Sequence, residues 1–583
     1  MSIPIVAINV TLPSLAVDAP GDGKDGRPAR TVSQPEPTAD TRSGHQAAPW
    51  SGVDSFQNVT AEESGQSFIR QFGRFTLHDD SAGPDDCIAG TTSRAYALVR
   101  KDGFFIGGRE NYGASQDVDL TAYLGRNSPS HIFATEKSFA ALVAVGNENR
   151  LVVWGQALDL SEIGYALSGI RAVYANRHAF SFIYRTAAAS GKWIGAIGDA
   201  KRGGLIPDAL QLKLATDEPV SIRATEGAFA VLTRSGKVYA WGDPAMGGTI
   251  DPAAAAILEG TTVAKIFASS CAFCAVGTNN QPIVWGHAGF GGTVPPATLE
   301  AILDDDGVET IVAAQAAFCC ITRRLGKAVA WGSSKHGGTM GDAAAALGAR
   351  GGIVACKAAA WAFCIINAQG QAEAWGPESY GGTLPAANGM GIQSTPETSA
   401  DADDIRVQVR NAFIGAPLQA PSRDKPIGAT YVTTDWTATI HAVDTGFCLI
   451  TTHPDGLIRS ITSWGADSTL ISDTARQVLL GSYLHRLTTS NGAYLAIVRQ
   501  GEINGCLVAW GESAKNGGLI PETVRTCVQA GVIEAHPVNS MHSLVTTSED
   551  WSNMSGFFVR AADGSVAFWG GGMDTICLPP PRD

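Results

Sequence analysis

Few residues of this chain could do chemistry, and their spacing argues against most of them. Cys271 and Cys274 form a CxxC pair, the spacing that sets two thiolates on one zinc ion or in one redox centre, but no second CxxC completes a site. Cys274, Cys319, Cys364 and Cys448 each follow a phenylalanine in the same context, AFC or GFC, where equivalent segments carry Ala or Val. Cysteine used this way is a small buried hydrophobe, and thiols kept reduced point to folding in a cytoplasm. Asp304-Asp305-Asp306 offers three carboxylates, but as a charge run at the end of an expected helix it reads as a solvated turn. His287 and His336 follow tryptophans in loops and have no recurring carboxylate partner. The chain has no P-loop, no GxGxxG after a strand, no HExxH, no GxSxG and no EF-hand loop. These residues therefore predict a protein that is not an enzyme and has no cofactor or metal.

Position is a stronger signal than chemistry. A Trp-Gly dipeptide recurs at Trp154, Trp241, Trp285, Trp331, Trp375, Trp464, Trp510 and Trp569, and Ile106-Gly107 and Ile197-Gly198 fill the early gaps. Successive landmarks lie 48, 43, 44, 44, 46, 44, 89, 46 and 59 residues apart, and the 89 holds two periods' worth of chain. A period of this size is one supersecondary unit copied many times. Ten units result, each of 44–50 residues.

Residues 219–262 show the unit plainly. Residues 219–224 and 228–232 alternate as strands, a turn at Arg234-Ser235-Gly236 follows, and residues 237–241 form a third strand ending on Trp241. Gly242 opens a loop, the pair Gly247-Gly248 turns it, and Asp251-Pro252 starts a short helical turn over 253–258. Each unit thus has three to four short strands and a short helical turn. With one large aromatic per unit, this is the make-up of a propeller blade. The fold class expected is an all-β β-propeller of about ten units in one enlarged ring, with two smaller rings or an open array as the alternatives, and with Phe and Trp packing between blades.

One position varies while its surroundings repeat. Just before the Gly-Gly pair or its equivalent stand Tyr112, Arg202, Met246, Phe290, His336, Tyr380 and Asn516. Equivalent positions of a ring fall on one rim, so these seven side chains are the candidate partner-binding residues; Tyr, Arg, Met and Phe are enriched at protein interfaces.

The segments Val220–Ala224, Ala230–Thr233 and Ser235–Gly242 follow the blade pattern of the regulator of chromosome condensation repeat family, and the chain resembles that family over roughly residues 85–575. It departs in two places. Ala-Phe stands where the family carries His-Ser in the second strand, and Gly-Gly with Ile/Val/Leu-Pro replaces Gly-Gln-Leu-Gly. Both departures look like the bacterial branch of these repeats. The resemblance implies a binding protein. Relatives include an exchange factor for a small nuclear GTPase, an inhibitor that caps β-lactamase, and modules of bacterial surface or toxin-associated proteins.

Bulk properties narrow the partners. The 583 residues are 45% hydrophobic and 17% charged with 67 glycines, so the chain can bury a large core and make many tight turns. A net charge of −13 opposes a phosphate-binding surface, so nucleic acid is not an expected partner. Residues 1–17 are apolar but lack a basic start and carry two prolines, which reads as a docked strand and not a signal peptide. No run is long enough to span a bilayer, so membrane insertion is not expected and a cytoplasmic protein, or one exported without a classical signal peptide, is. Residues 18–66 form a polar tail, residues 67–583 the propeller, and 386–430 and 547–555 are insertions in it. The leading functional reading is a protein-binding propeller with a variable rim. Glycan binding through Trp and Tyr is the alternative, and an exchange factor or inhibitor a second one.

Overall fold

In a computed structural model of the chain, the residues described are 75–76 and 88–581, apart from 101, 115–117, 128, 146–147, 156–168, 186–191, 368–370, 385–430, 433–436, 454, 513–515, 539–554 and 572–574. The apolar start (1–17), the polar tail (18–66), the insertion 386–430 and nearly all of the insertion 547–555 lie outside the described residues.

Ten antiparallel sheets of three or four strands follow one another along the chain. In order they span residues 75–108, 129–155, 170–198, 219–242, 263–286, 308–332, 353–375, 431–465, 483–511 and 532–578, and are called sheets 1 to 10. Each expected unit is one sheet. In sheet 4 the strands are Pro219–Ala224, Ala228–Thr233 and Val238–Gly242, followed by the helix Pro252–Glu259. The Asp251 carboxylate accepts the amides of Ala253 and Ala254, which the helix itself leaves unpaired. Seven such α-helices are described, and none is long and apolar enough to cross a membrane.

The sheets pack as blades of a β-propeller. First strands of successive sheets touch each other, with the second strand Thr437–Val443 taking that place in sheet 8, and the hydrophobic clusters lie between sheets. The middle strand of each blade is buried on both faces: Ala228–Thr233, Ala272–Gly277 and Ala317–Thr322 are buried throughout. That explains their lack of polar alternation. One cluster joins Leu98 of sheet 1 to Val538, Phe558, Val566 and Phe568 of sheet 10, and Arg100 Nη1 donates to the Pro579 carbonyl at 2.6 Å. The last sheet therefore packs on the first.

One landmark moves by a residue. In sheet 4, Phe229 pairs with Trp241 and Ala228 with Gly242; in sheet 1, Tyr96 pairs with Gly107 and Ala95 with Gly108. Gly107, not Ile106, holds the tryptophan position. The Tyr96 ring lies over it, within 2.5 Å of where a Cβ would be, and fills the space an indole takes elsewhere.

Candidate interaction rim

The interface between blades is built from three residues of the repeat. The middle-strand aromatic stacks on the Trp of its own sheet, with ring centroids 5.2 Å apart for Phe273–Trp285 and 5.4 Å for Phe318–Trp331. Six of the indole N–H groups then reach the preceding blade. Trp241 donates to the Gly203 carbonyl at 3.0 Å, Trp285 to Gly247 at 3.0 Å, Trp331 to Gly291 at 3.0 Å and Trp375 to Gly337 at 2.8 Å. Trp154 and Trp569 do the same with Gly113 and Gly517. The indole N–H groups of Trp464 and Trp510 have no acceptor among the described residues. For Trp510 the cause is visible: the preceding blade has Leu470-Ile471 in place of Gly-Gly, and Leu470 is extended.

Only glycine can supply that carbonyl. Gly247 has φ +88°, and a Cβ on it would stand 2.7 Å from the Phe273 ring. A Cβ on Gly248 would stand 2.4 Å from the Gly242 backbone. The pair thus draws the loop after Trp-Gly down onto the next blade and fixes one face of the stack of sheets.

On that face each blade shows two loops. The first is the turn that enters the buried middle strand, where Thr92, Asn176, Thr225, Ser269 or Ser490 caps the backbone. The same side chains reach across to the second loop. Thr225 Oγ1 donates to the Met246 carbonyl at 2.8 Å, Ser269 Oγ to Phe290 at 2.7 Å and Asn176 Nδ2 to Arg202 at 2.7 Å. Thr92 and Ser490 hold Tyr112 and Asn516 likewise. The carbonyl of each of these five variable residues is therefore fixed, whatever its side chain.

The first loops are also joined to one another. The amide of Ser93 donates to the Glu136 carbonyl, Glu136 to Arg177, Arg177 to Glu226, Glu226 to Ser270, Ser270 to Gln315 and Gln315 to Ala360. The belt continues from Ala360 to Asp444, across the insertion, then to Asn491, whose amide meets Ser555 Oγ at 3.2 Å. Charge reinforces it at sheets 2 to 4. Arg177 Nε lies 2.6 Å from Glu136, and its Nη1 3.8 Å from Glu226, whose side chain is 1% exposed. Burial works against the Glu136 charge, but the Arg177 hydrogen bond and charge prevail and hold its carboxyl below the usual range. His178 is pushed down to about 4, by burial first and by the cations Arg177 and Arg202 after it, so it is neutral at pH 7.

Tyr112, Arg202, Met246, Phe290, His336 and Tyr380 each end a 3-10 turn, and Asn516 directly precedes Gly517. All seven are half-buried or buried. Tyr112 lies under Arg94 and Lys137, Arg202 reaches Asp243 and Met246, and Asn516 bonds Glu512. His336, Trp361 and Tyr380 form a ladder with centroid spacings of 4.4 and 4.2 Å. The two residues just before six of the seven variable ones are exposed: Glu110-Asn111, Ala200-Lys201, Pro244-Ala245, Ala288-Gly289, Ser334-Lys335 and Glu378-Ser379. Sequence reasoning missed them because the Gly-Gly anchor marks the packed end of the 3-10 turn. Their variation from unit to unit was the available signal.

The residues first weighed for chemistry are used structurally. Cys271, Cys274, Cys319, Cys364 and Cys448 are free and buried, and burial raises the Cys271 and Cys274 thiols well above the ordinary range. Asp305 is buried and accepts from Thr322, the Leu325 amide and Arg324. Among the described residues no three His, Cys, Asp or Glu side chains converge to hold a metal ion.

No family model matches the chain, and no curated protein matches it in sequence. Solved propeller structures are similar to it at low identity. Prp20p from Saccharomyces cerevisiae is 14% identical, with 54% of this chain and 76% of that chain covered and a TM-score of 0.27. The ectodomain of the receptor kinase CR4 from Physcomitrella patens is 16% identical, covering 52% and 75%, with a TM-score of 0.27. The WD40 ectodomain of ACR4 from Arabidopsis thaliana is 15% identical, covering 52% and 96%, with a TM-score of 0.26.

Proposed function

We propose that this propeller is a non-enzymatic protein-binding scaffold, and that its partner docks on the rim formed by the 3-10 turns. One observation carries the reading: the rim backbone is fixed by repeated hydrogen bonds, while the residues it displays differ from blade to blade. A rigid frame with unrepeated side chains gives a broad surface specific for one protein at low ordering cost. The half-buried Tyr112, Phe290, His336 and Tyr380 supply apolar area beneath exposed Lys201, Lys335, Glu378 and Glu110. The same reading takes the ten sheets as one closed ring, with the seam between sheets 10 and 1.

Glycan stacking would need open indoles. Trp241, Trp285, Trp331 and Trp569 are at most 1% exposed, so they offer no face to a sugar. The test compares the wild-type chain with two variants as bait for partners from the native cells. One variant carries Lys201→Glu, Lys335→Glu and Glu378→Lys; the other Phe290→Ala and Tyr380→Ala. The reading expects the charge variant to keep the wild-type melting temperature and lose the captured partner. A partner retained by both variants refutes it, as does a double alanine variant that loses stability yet binds normally.

A further inference from the structure

Three described cysteines, Cys506, Cys527 and Cys577, stand apart from the buried thiols, and the last two lie side by side. Cys527 ends the helix Glu522–Cys527, between sheets 9 and 10, and Cys577 lies in the short last strand Ile576–Leu578. Both are partly accessible and free. Their surroundings interlock: Cys527 Sγ is 3.7 Å from the Leu578 carbonyl, and Cys577 Sγ is 3.5 Å from the Thr523 carbonyl. Each sulfur thus sits within one residue, or one helical turn, of its partner's position.

The strand that bears Cys577 is the strap of the molecule. It is the outer strand of sheet 10 and, among the described residues, pairs only with the strand Val566–Gly571, over three residues, Ile576 to Leu578. One residue further on, the Pro579 carbonyl takes the Arg100 guanidinium of sheet 1. Sheet 1 has Gly107 where most other sheets bring an indole, so this strap does part of the joining that Trp and Gly-Gly do elsewhere.

We infer that Cys527 and Cys577 form a reversible disulfide that locks this strap to the helix, with a low-molecular-weight disulfide such as oxidised glutathione as oxidant. The more exposed Cys577 attacks as thiolate, forms a mixed disulfide and releases one glutathione thiolate. Cys527 then gives up its proton and attacks the Cys577 sulfur, and the second glutathione leaves. Two protein thiols are oxidised and one external disulfide is reduced to two thiols. Burial first, and Cys577 after it, raises the Cys527 thiol to about 12, which makes it the weaker first nucleophile and leaves it the resolving thiol.

The folded full-length chain is incubated with oxidised glutathione, alkylated, digested without reduction and mapped by mass spectrometry. A linked Cys527–Cys577 peptide is expected, while Cys274, Cys319, Cys364 and Cys448 become alkylated only after unfolding. Hydrogen exchange at residues 576–578 is expected to slow at least about tenfold, because the bond closes a loop of some fifty residues. In Cys527→Ser, Cys577 is expected to hold a trapped glutathione. Free thiols at both positions under saturating oxidant, or linkage of either to another cysteine, overturn the inference. If Cys527→Ser folds and Cys577 carries no adduct, the assigned order of attack is refuted.

Discussion

Replacing Gly247 by alanine tests the interface that makes this chain a stack of blades. The residue has φ +88°, and a Cβ there would lie 2.7 Å from Cδ2 and 3.0 Å from Cε2 of Phe273. Phe273 is fully buried and stacks on Trp285, whose N–H in turn holds the Gly247 carbonyl at 3.0 Å. The ring has nowhere to retreat. The left-handed backbone costs a non-glycine residue roughly 1–2 kcal/mol. Overpacking a filled site adds roughly 1–3 kcal/mol, so the total is about 2–5 kcal/mol. Gly125→Ala is the control. It lies on the exposed side of the helix Val118–Arg126 with nothing within 4 Å of its Cβ position, and alanine there should stabilise by about 0.5–1 kcal/mol. Hydrogen exchange read by mass spectrometry is the assay, because arrays of repeats open locally. Protection in sheets 4 and 5 should fall roughly 30- to 4,000-fold in Gly247→Ala and not fall in Gly125→Ala. Equal behaviour of the two variants, or a loss centred on sheets 8 to 10, would refute the reasoning.

Other outcomes follow from the same contacts. Trp285→Phe leaves the Gly247 carbonyl buried without its donor and should cost about 1–3 kcal/mol beyond the lost packing, whereas Trp510→Phe, whose indole N–H has no acceptor among the described residues, should lack that increment; calorimetry on the two variants compares them. Burial opposes the Asp305 charge, but bonds from Thr322, the Leu325 amide and Arg324 hold its carboxyl below the usual range. Its folded pKa is depressed, so its contribution is complete above the unfolded value near ~3.9 and is lost as pH falls through the folded value. Asp305→Asn should therefore be destabilised at pH 7 and approach the wild type in acid, as followed by urea unfolding at both pH values. Arg177→Met removes the cation between Glu136 and Glu226 and should cost about 3–5 kcal/mol, with the loss at sheets 2 to 4 in hydrogen exchange; an unchanged pattern there would show that the belt does not depend on the ion pairs.

Ten units were legible in the sequence because each unit must pay the same local costs. A strand needs alternation or a short apolar run, a tight turn needs glycine, and a helix needs a cap, so Val238–Gly242 or Asp251-Pro252 reads the same wherever it recurs. The Gly-Gly pair marked the loop that forms the rim, and it located the variable position beside it. It did not show that this position is the packed end of the 3-10 turn, since which side chain faces water depends on the neighbouring blade. Ile106 misled by one residue for a related reason. Gly107 reads as the glycine of the dipeptide until strand register pairs it with Tyr96.

The rest is decided by backbone groups that carry no sequence mark. The belt from Ser93 to Asn491 passes through Glu, Arg, Ser, Gln, Ala and Asp alike, because only amides and carbonyls take part. The indole N–H of Trp285 finds Gly247, 38 residues before it, and nothing in either unit names the other. Sheet 10 meeting sheet 1 through Arg100 and Pro579 links residues 479 apart. Sequence by itself determined the repeating unit and the number of copies, through local rules of turn, strand and cap. Tertiary structure alone decided how each blade locks to the next and which rim residues face solvent, because those contacts join groups far apart in the chain.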